Sequence, residues 1–208
     1  MDYSKKHYSF SFFAVAGLMS ETITTAGQLS INKGWAETEE AIYSGNLFLR
    51  NRKNTVKRML QEIRKRLESL TPGQRALVTE GDYDTAKQII ALAIFKTYPF
   101  LAEFAITVMR EKYLTYDRHL YEADYRHFYD QINLLDPAAG ELAESTQRKI
   151  RTATFLIFTQ IGMLNNTKER LIVQPILQAG VLQAIREDNP HWLRCFLFSE
   201  RDIINGTI

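Results

Sequence analysis

The chain has 208 residues, of which 45% are hydrophobic and 24% are charged, and it contains one cysteine. This composition is too apolar and aromatic for a disordered chain. A single cysteine excludes a disulfide framework and a cysteine-based zinc or iron–sulfur site, and we expect Cys195 to be a buried structural thiol. The formal net charge of +2 conceals an uneven distribution of basic residues along the chain.

Apolar residues at helical spacing dominate the chain and predict a mainly α, multi-helical fold. Pro72 can open a further short helix at its first position. We place a domain boundary near Pro99, which divides the chain into residues 1–98 and 99–208. The N-terminal subdomain then carries a basic helix, and the C-terminal subdomain is winged-helix-like with additional C-terminal helices. The predicted helices span residues 12–31, 35–42, 56–70, 82–97, 100–114, 121–134, 145–162 and 175–187.

Positive charge is concentrated between Arg50 and Leu70, where eight basic residues outnumber two acidic ones. Apolar residues recur at helical spacing from Val56 to Leu70, so this helix buries one stripe and turns its cations outward. We expect its N-cap at Asn54 or Thr55. Arginine and lysine at this density suit a phosphate backbone, although an ordinary solvated helix stays an alternative. The predicted phosphate contacts are Arg50, Arg52, Lys53, Lys57, Arg58, Arg64 and Lys65.

The C-terminal half has a second pattern typical of DNA binding. Residues 163–164 and 170–173 flank a polar turn and predict one short β-hairpin. Three helices followed by this hairpin is the order of a winged helix-turn-helix, and the third helix is basic in its first turns and apolar from Ala153 onward. A helical domain with an incidental hairpin stays an alternative. The DNA contacts predicted here are Arg148, Lys149 and Arg151 on the helix and Lys168 and Arg170 on the hairpin.

Catalytic signatures are missing from the sequence. It contains no glycine-rich phosphate loop and no nucleophile elbow, so we predict no catalytic residue, no metal site and no cofactor. His127 and Asp130 are neighbours on one helix face and leave a metal-dependent nuclease as a remote alternative. No apolar stretch reaches the ~20 uncharged residues that a membrane span needs, which predicts a soluble protein without a membrane segment.

Several segments resemble one known family. They are residues 17–21 (GLMSE), 55–58 (TVKR), 62–67 (EIRKRL), 104–113 and 145–151. Together they are similar to the BrxA family of bacterial BREX phage-defence systems. The resemblance implies an all-helical cytoplasmic protein that binds double-stranded DNA, works beside a BREX methyltransferase and an ATPase, and has no enzymatic activity of its own. It carries over no catalytic or base-reading residue.

We therefore predict a non-enzymatic double-stranded DNA-binding component of a BREX phage-defence complex that binds mainly through phosphate contacts. The alternative is a protein-interaction adaptor whose basic face docks an acidic partner of the same complex. In that alternative the tyrosine-rich segment from Tyr113 to Tyr129 forms a hydrophobic rim, since interfaces favour tyrosine and arginine.

Overall fold

The computed structural model describes residues 7–32 and 34–205. These residues are mainly helical, which confirms the prediction of a mainly α fold. A 3-10 turn spans Ser11–Ala14, a π-helical segment, Ala105–Arg110, joins two helices, and a second 3-10 segment spans Pro190–Phe196. The α-helices are α1 (Met19–Asn32), α2 (Trp35–Ser44), α3 (Lys53–Glu68), α4 (Pro72–Glu80), α5 (Tyr83–Thr97), α6 (Pro99–Phe104), α7 (Glu111–Leu114), α8 (Glu122–Leu135), α9 (Pro137–Gly140), α10 (Glu144–Gln160), α11 (Ala179–Asp188) and α12 (Glu200–Asn205).

Two compact units make up the chain. The basic-helix unit comprises Gly17–Thr97 and Leu177–Asp188. The aromatic-core unit comprises the described parts of Met1–Ala16, Tyr98–Ile176 and Asn189–Ile208. The boundary between residues 98 and 99 stays a prediction.

The basic-helix unit is built around α5. Residues 89–95 of this helix are apolar on every face and buried, because α3, α4 and α11 all pack against it. The end of α5 is joined to the end of α11 by a 2.7 Å ion pair between Lys96 and Asp188. Thr71 and Gln74 form a capping box at the start of α4, and this confirms that Pro72 opens a helix.

The aromatic-core unit is held together by rings in edge-to-face and stacked contact. The ring of Phe128 on α8 lies 5.2 Å from that of Phe100 and 5.1 Å from that of Phe104. Phe158 on α10 lies 5.7 Å from Phe104, and Phe12 of the N-terminal 3-10 turn stacks on Phe100 at 6.0 Å. Such ring pairs add about 0.5–1.5 kcal/mol each to the burial itself. This cluster fixes α8, α10 and the N-terminal turn relative to one another.

The continuous helix predicted over residues 12–31 is wrong. A 3-10 turn ends at Ala14 and α1 begins at Met19. Between them Ala16 and Leu18 have φ values of 56° and 54°, a left-handed conformation that interrupts an α-helix. The apolar spacing persists through the break because Phe12 is buried in one unit and Met19 in the other. The helix predicted from residue 175 also begins later, at Ala179, after residues 173–178 without regular secondary structure.

The predicted β-hairpin is not confirmed as a pair of strands, and the described residues contain no sheet. Leu164 and Ile172 form an isolated antiparallel bridge, and His119 and Leu171 form a second one. Arg170, the first residue of the second predicted strand, has a φ of 55°. This left-handed residue takes the chain out of the extended range, so the ladder stops after one bridge.

No single helix in residues 7–32 and 34–205 is both long enough and apolar enough to cross a bilayer. Tyr83–Thr97 and Pro99–Leu114 meet that criterion of length and composition only when they are taken together as a bent pair.

Candidate nucleic-acid interface

Helix α3 separates a buried apolar stripe from an exposed basic face, as its sequence predicts. Val56 and Ile63 are examples of the residues that the stripe buries against α5 and α1. At about 100° per residue, the cations of α3 fall within an arc of about 140° on the opposite side. The exposed cations of this helix are Lys53, Lys57, Arg58, Arg64 and Lys65.

The cations of the C-terminal part of α3 are paired with carboxylates of the same helix. Arg64 Nε lies 2.8 Å from Glu68 Oε1, and the Arg64 guanidinium also covers the ring of Trp35 at 5.1 Å. Lys65 Nζ lies 2.7 Å from an oxygen of Glu62, a carboxylate that is itself buried. These two cations already have negative charge within reach, so they are poorer candidates for phosphate contact than the sequence predicts.

The N-terminal end of α3 and the segment before it carry cations of a different kind. Arg52, Lys53, Lys57 and Arg58 are exposed and form no ion pair among the residues that the structure describes. Arg50 makes a long 3.7 Å contact with Glu21 and keeps 55% of its side chain exposed. The positive charge available to a ligand is therefore concentrated at one end of the helix.

That end of α3 is also unusual as a helix N-terminus. The helix begins at Lys53, one residue before Asn54 and two before Thr55, so the predicted cap positions are wrong. Arg52 occupies the N-cap, no side chain caps the first turn, and this turn has no acidic residue. The first turn thus has no side-chain acceptor, and cations instead of carboxylates lie near the positive end of the helix dipole, an arrangement that an anion would stabilise.

Arg66 belongs to the basic segment but does not lie on the surface of the protein. Its side chain is completely buried, and Nη1 donates a 2.6 Å hydrogen bond to the carbonyl oxygen of Gly17. The sequence count of eight cations therefore includes one that holds the fold.

The five C-terminal site residues lie in the aromatic-core unit, at the start of α10 and in the loop that follows it. Arg148 and Lys149 are exposed, and Arg148 lies 3.5 Å from Glu144 of the same helix. Lys168 is exposed on a loop that the Asn166 side chain holds, since its Oδ1 accepts hydrogen bonds from the backbone N–H groups of residues 168 and 169. Lys149 and Lys168 form no ion pair among the described residues.

Arg151 and Arg170 are brought together by one carboxylate. Glu122 at the start of α8 pairs through Oε1 with Arg151 and through Oε2 with Arg170, the latter at 3.1 Å. The Arg170 guanidinium also lies 4.4 Å above the ring of Phe155. These contacts cross-link α8, α10 and the loop, so part of the positive charge predicted for DNA is neutralised inside the unit.

Arg126, which is not among the predicted site residues, borders this surface. Arg126 on α8 is exposed, forms no ion pair among the described residues, and lines a cleft of about 260 Å³ together with Arg148 and Arg151. In the sequence Arg126 lies four residues after Glu122, a spacing that predicts an ion pair between the two. Only the structure shows that Glu122 pairs with Arg151 and Arg170 and leaves Arg126 exposed.

Cys195 and His127, the two residues weighed above for a thiol or metal-dependent chemistry, lie in different environments. Cys195 is buried, as predicted, and this burial raises the pKa of its thiol well above the ordinary range. His127 Nε2 lies 3.1 Å from the side-chain nitrogen of Gln131. In residues 7–32 and 34–205 no group of three or more His, Cys, Asp and Glu side chains is arranged to hold a metal ion.

Comparison with known proteins places the chain in a family. A family model described as BrxA matches residues 6–189. The chain is 28% identical over 159 residues to the BREX protein BrxA of Bacillus cereus (strain H3081.97), covering 75% of this chain and 80% of that protein. It is 24% identical over 186 residues to the BREX protein BrxA of Paramagnetospirillum magneticum (strain AMB-1), covering 89% and 88%.

The fold also occurs in a crystal structure described as an uncharacterized protein from Magnetospirillum magneticum. The two chains superpose with a TM-score of 0.79 over 92% of this chain and 98% of the other, at 21% sequence identity. The resemblance seen in the sequence is confirmed by the family match, which spans most of the chain, and this protein belongs to the BrxA family.

Proposed function

We propose that this chain is a non-enzymatic, double-stranded DNA-binding component of a BREX phage-defence system that binds duplexes mainly through their phosphates. The names of the two relatives, both BREX proteins, support its membership of such a system. In this proposal it acts in the cytoplasm beside other BREX components, including the methyltransferase and the ATPase.

The observation that carries the proposal is the unpaired positive charge at the start of α3. Arg52, Lys53, Lys57 and Arg58 have no carboxylate partner among the described residues, and the helix end that they surround lacks both a cap and an acidic residue. Such an arrangement is unfavourable in the isolated protein because like charges meet the positive helix end. A row of phosphates relieves this repulsion and releases counterions, which favours binding.

A winged-helix-like role for the aromatic-core unit is supported by the order of its parts. Helical segments over residues 99–114, 122–135 and 144–160 are followed by the loop that carries Lys168. His119 pairs with Leu171, and Leu164 pairs with Ile172, in two isolated antiparallel bridges. These bridges lie at the points of the chain where winged-helix domains have their small sheet. In this proposal the first turns of α10 face the duplex and the loop holds a neighbouring phosphate.

The test compares two double variants of α3 that remove equal charge. Fluorescence anisotropy with a labelled duplex measures the affinity of Lys57→Gln/Arg58→Gln and of Arg64→Gln/Lys65→Gln. The first pair removes unpaired cations, so we expect affinity to fall about tenfold and the salt slope by about 2. The second pair is already bound to Glu68 and Glu62, so we expect a loss of less than about threefold. Equal losses from both variants would contradict the proposal.

A protein-interaction adaptor is the second candidate, and one observation favours it. Tyr116 and Tyr121 of the tyrosine-rich segment are exposed and accessible to a partner, although Tyr125 and Tyr129 are buried in the aromatic core and drop out of the predicted rim. Exposed tyrosines beside arginines are typical of protein interfaces. Capture of BREX components that survives nuclease treatment and is lost on Tyr116→Ala/Tyr121→Ala, together with no duplex binding in anisotropy, would favour the adaptor.

A further inference from the structure

The turn between α2 and α3 holds Leu49 in a fixed position. The backbone N–H of Leu49 donates a 2.9 Å hydrogen bond to the carbonyl oxygen of Asn46, and the N–H of Arg50 donates a 3.0 Å bond to Asn46 Oδ1. Phe48, the residue before Leu49, is buried. These contacts anchor the backbone on both sides of Leu49.

The conformation of Leu49 is unfavourable in two respects. Its φ is 52°, in the left-handed region that a γ-branched residue avoids, whereas Asn46, with a φ of 44°, is of a type that tolerates it. The Leu49 side chain is 84% exposed, so no burial compensates for the backbone strain. Strained residues of this kind concentrate at functional sites.

The charge around Leu49 indicates what covers it. Arg50, Arg52 and Lys53 follow directly in the chain, and the last two have no ion-pair partner among the described residues. An apolar side chain gains nothing from contact with phosphates, so in a duplex complex it is buried only if it reaches the bases. Proteins that bind the minor groove insert Leu, Phe, Ile or Met between base steps while arginines and lysines hold the groove walls.

We propose that Leu49 is an apolar wedge that enters the minor groove of bound DNA and partly unstacks one base step, while Arg50, Arg52 and Lys53 hold the phosphates on either side. This inference rests on the proposed DNA binding and deepens it. It requires that the duplex is kinked when it is bound, by an angle within the range of about 20–90° known for such wedges.

Duplexes that contain 2-aminopurine test the wedge, because the fluorescence of this base rises when it is unstacked. The same duplexes with a dye at each end report bending by energy transfer, and anisotropy gives affinity and salt slope. The variants are Leu49→Ala, Leu49→Gly and Leu49→Met. The matched control is Leu134→Ala, since Leu134 is also 84% exposed but lies at the end of α8. Circular dichroism establishes that each variant is folded, and Leu49→Gly provides a second truncation that the left-handed backbone accepts.

We expect wild type, Leu49→Met and Leu134→Ala to raise the fluorescence and bend the duplex. Leu49→Ala and Leu49→Gly lose most of both signals and bind about tenfold more weakly, with an unchanged salt slope because the phosphate contacts persist. If wild type binds with a steep salt slope but neither signal depends on residue 49, the wedge is refuted and DNA binding stands. If wild type does not bind duplexes at all, both proposals are refuted.

Discussion

Arg66 and Gly17 are joined by a 2.6 Å hydrogen bond from the guanidinium Nη1 to the carbonyl oxygen, in a position where Arg66 is fully buried. This bond ties the C-terminal part of the basic segment to the start of the basic-helix unit. One cation of that segment is thus structural, while its neighbours on the same helix face solvent.

We predict that Arg66→Ala lowers the free energy of unfolding by about 3 kcal/mol, because it leaves a cavity and an unsatisfied carbonyl oxygen. Arg58→Ala, which truncates an exposed arginine two turns earlier, is expected to change it by less than about 0.5 kcal/mol. Urea denaturation followed by circular dichroism measures both. The folded fraction of Arg66→Ala should bind DNA with the wild-type salt slope, and a reduced slope would show that Arg66 contacts phosphate after all.

A second prediction concerns the carboxylate that neutralises two arginines of the aromatic-core unit. Glu122→Gln removes the charge that pairs with Arg151 and Arg170. If these arginines lie at a DNA-binding surface, duplex affinity should rise about threefold and the salt slope should steepen by about 1. Asp130→Asn is the matched control, because Asp130 is also on α8 and lines the same cleft without forming an ion pair among the described residues. An affinity of Glu122→Gln equal to that of wild type would exclude this surface from DNA contact.

The acid side of the stability curve provides a third prediction. Arg194 donates a 2.8 Å hydrogen bond to Glu200, and this bond, with the charges of Arg194 and Arg110, holds the pKa of the Glu200 carboxyl below its ordinary value of 4.5. The unfolded chain takes up this proton at a higher pH than the folded chain. The stabilisation is therefore complete above about pH 4.5 and disappears as the pH falls through the folded-state pKa.

Urea unfolding midpoints between about pH 6 and about pH 3 measure this effect. The midpoint of Glu200→Gln should be lower than that of wild type near neutral pH, and the difference should shrink at the acid end. A constant difference over the whole range would show that the charge of Glu200 contributes nothing.

Local patterns in the sequence predict much of this fold. The stripe from Val56 to Leu67 places α3 correctly, and the proline at position 72 marks the start of α4 because its fixed φ suits a first helical turn. The break between residues 14 and 19 is marked in the sequence only by Gly17, and a single glycine does not locate the end of a helix. The left-handed φ values fall on Ala16 and Leu18, residue types that do not favour this conformation, and apolar spacing continues across them.

Pairing of charges is the part of the site that the sequence does not predict. Helical spacing identifies Glu68 as a neighbour of Arg64, since the two are four residues apart. The partner of Arg170 is Glu122, 48 residues earlier in the chain, and no periodic pattern relates them. Which cations stay available to a ligand thus depends on contacts that form only in the folded unit.

The salt dependence of duplex affinity tests the central claim most directly. Five cations at the start of α3 and just before it, from Arg50 to Arg58, are available to phosphates. Contact with five phosphates gives a slope of about −4 to −5 when the logarithm of the binding constant is plotted against the logarithm of the salt concentration. In an anisotropy titration over a range of salt concentrations we expect a slope at least this steep for the full chain, because contacts from α10 and its loop add to it. A flat response, or no binding at low salt, would contradict the account.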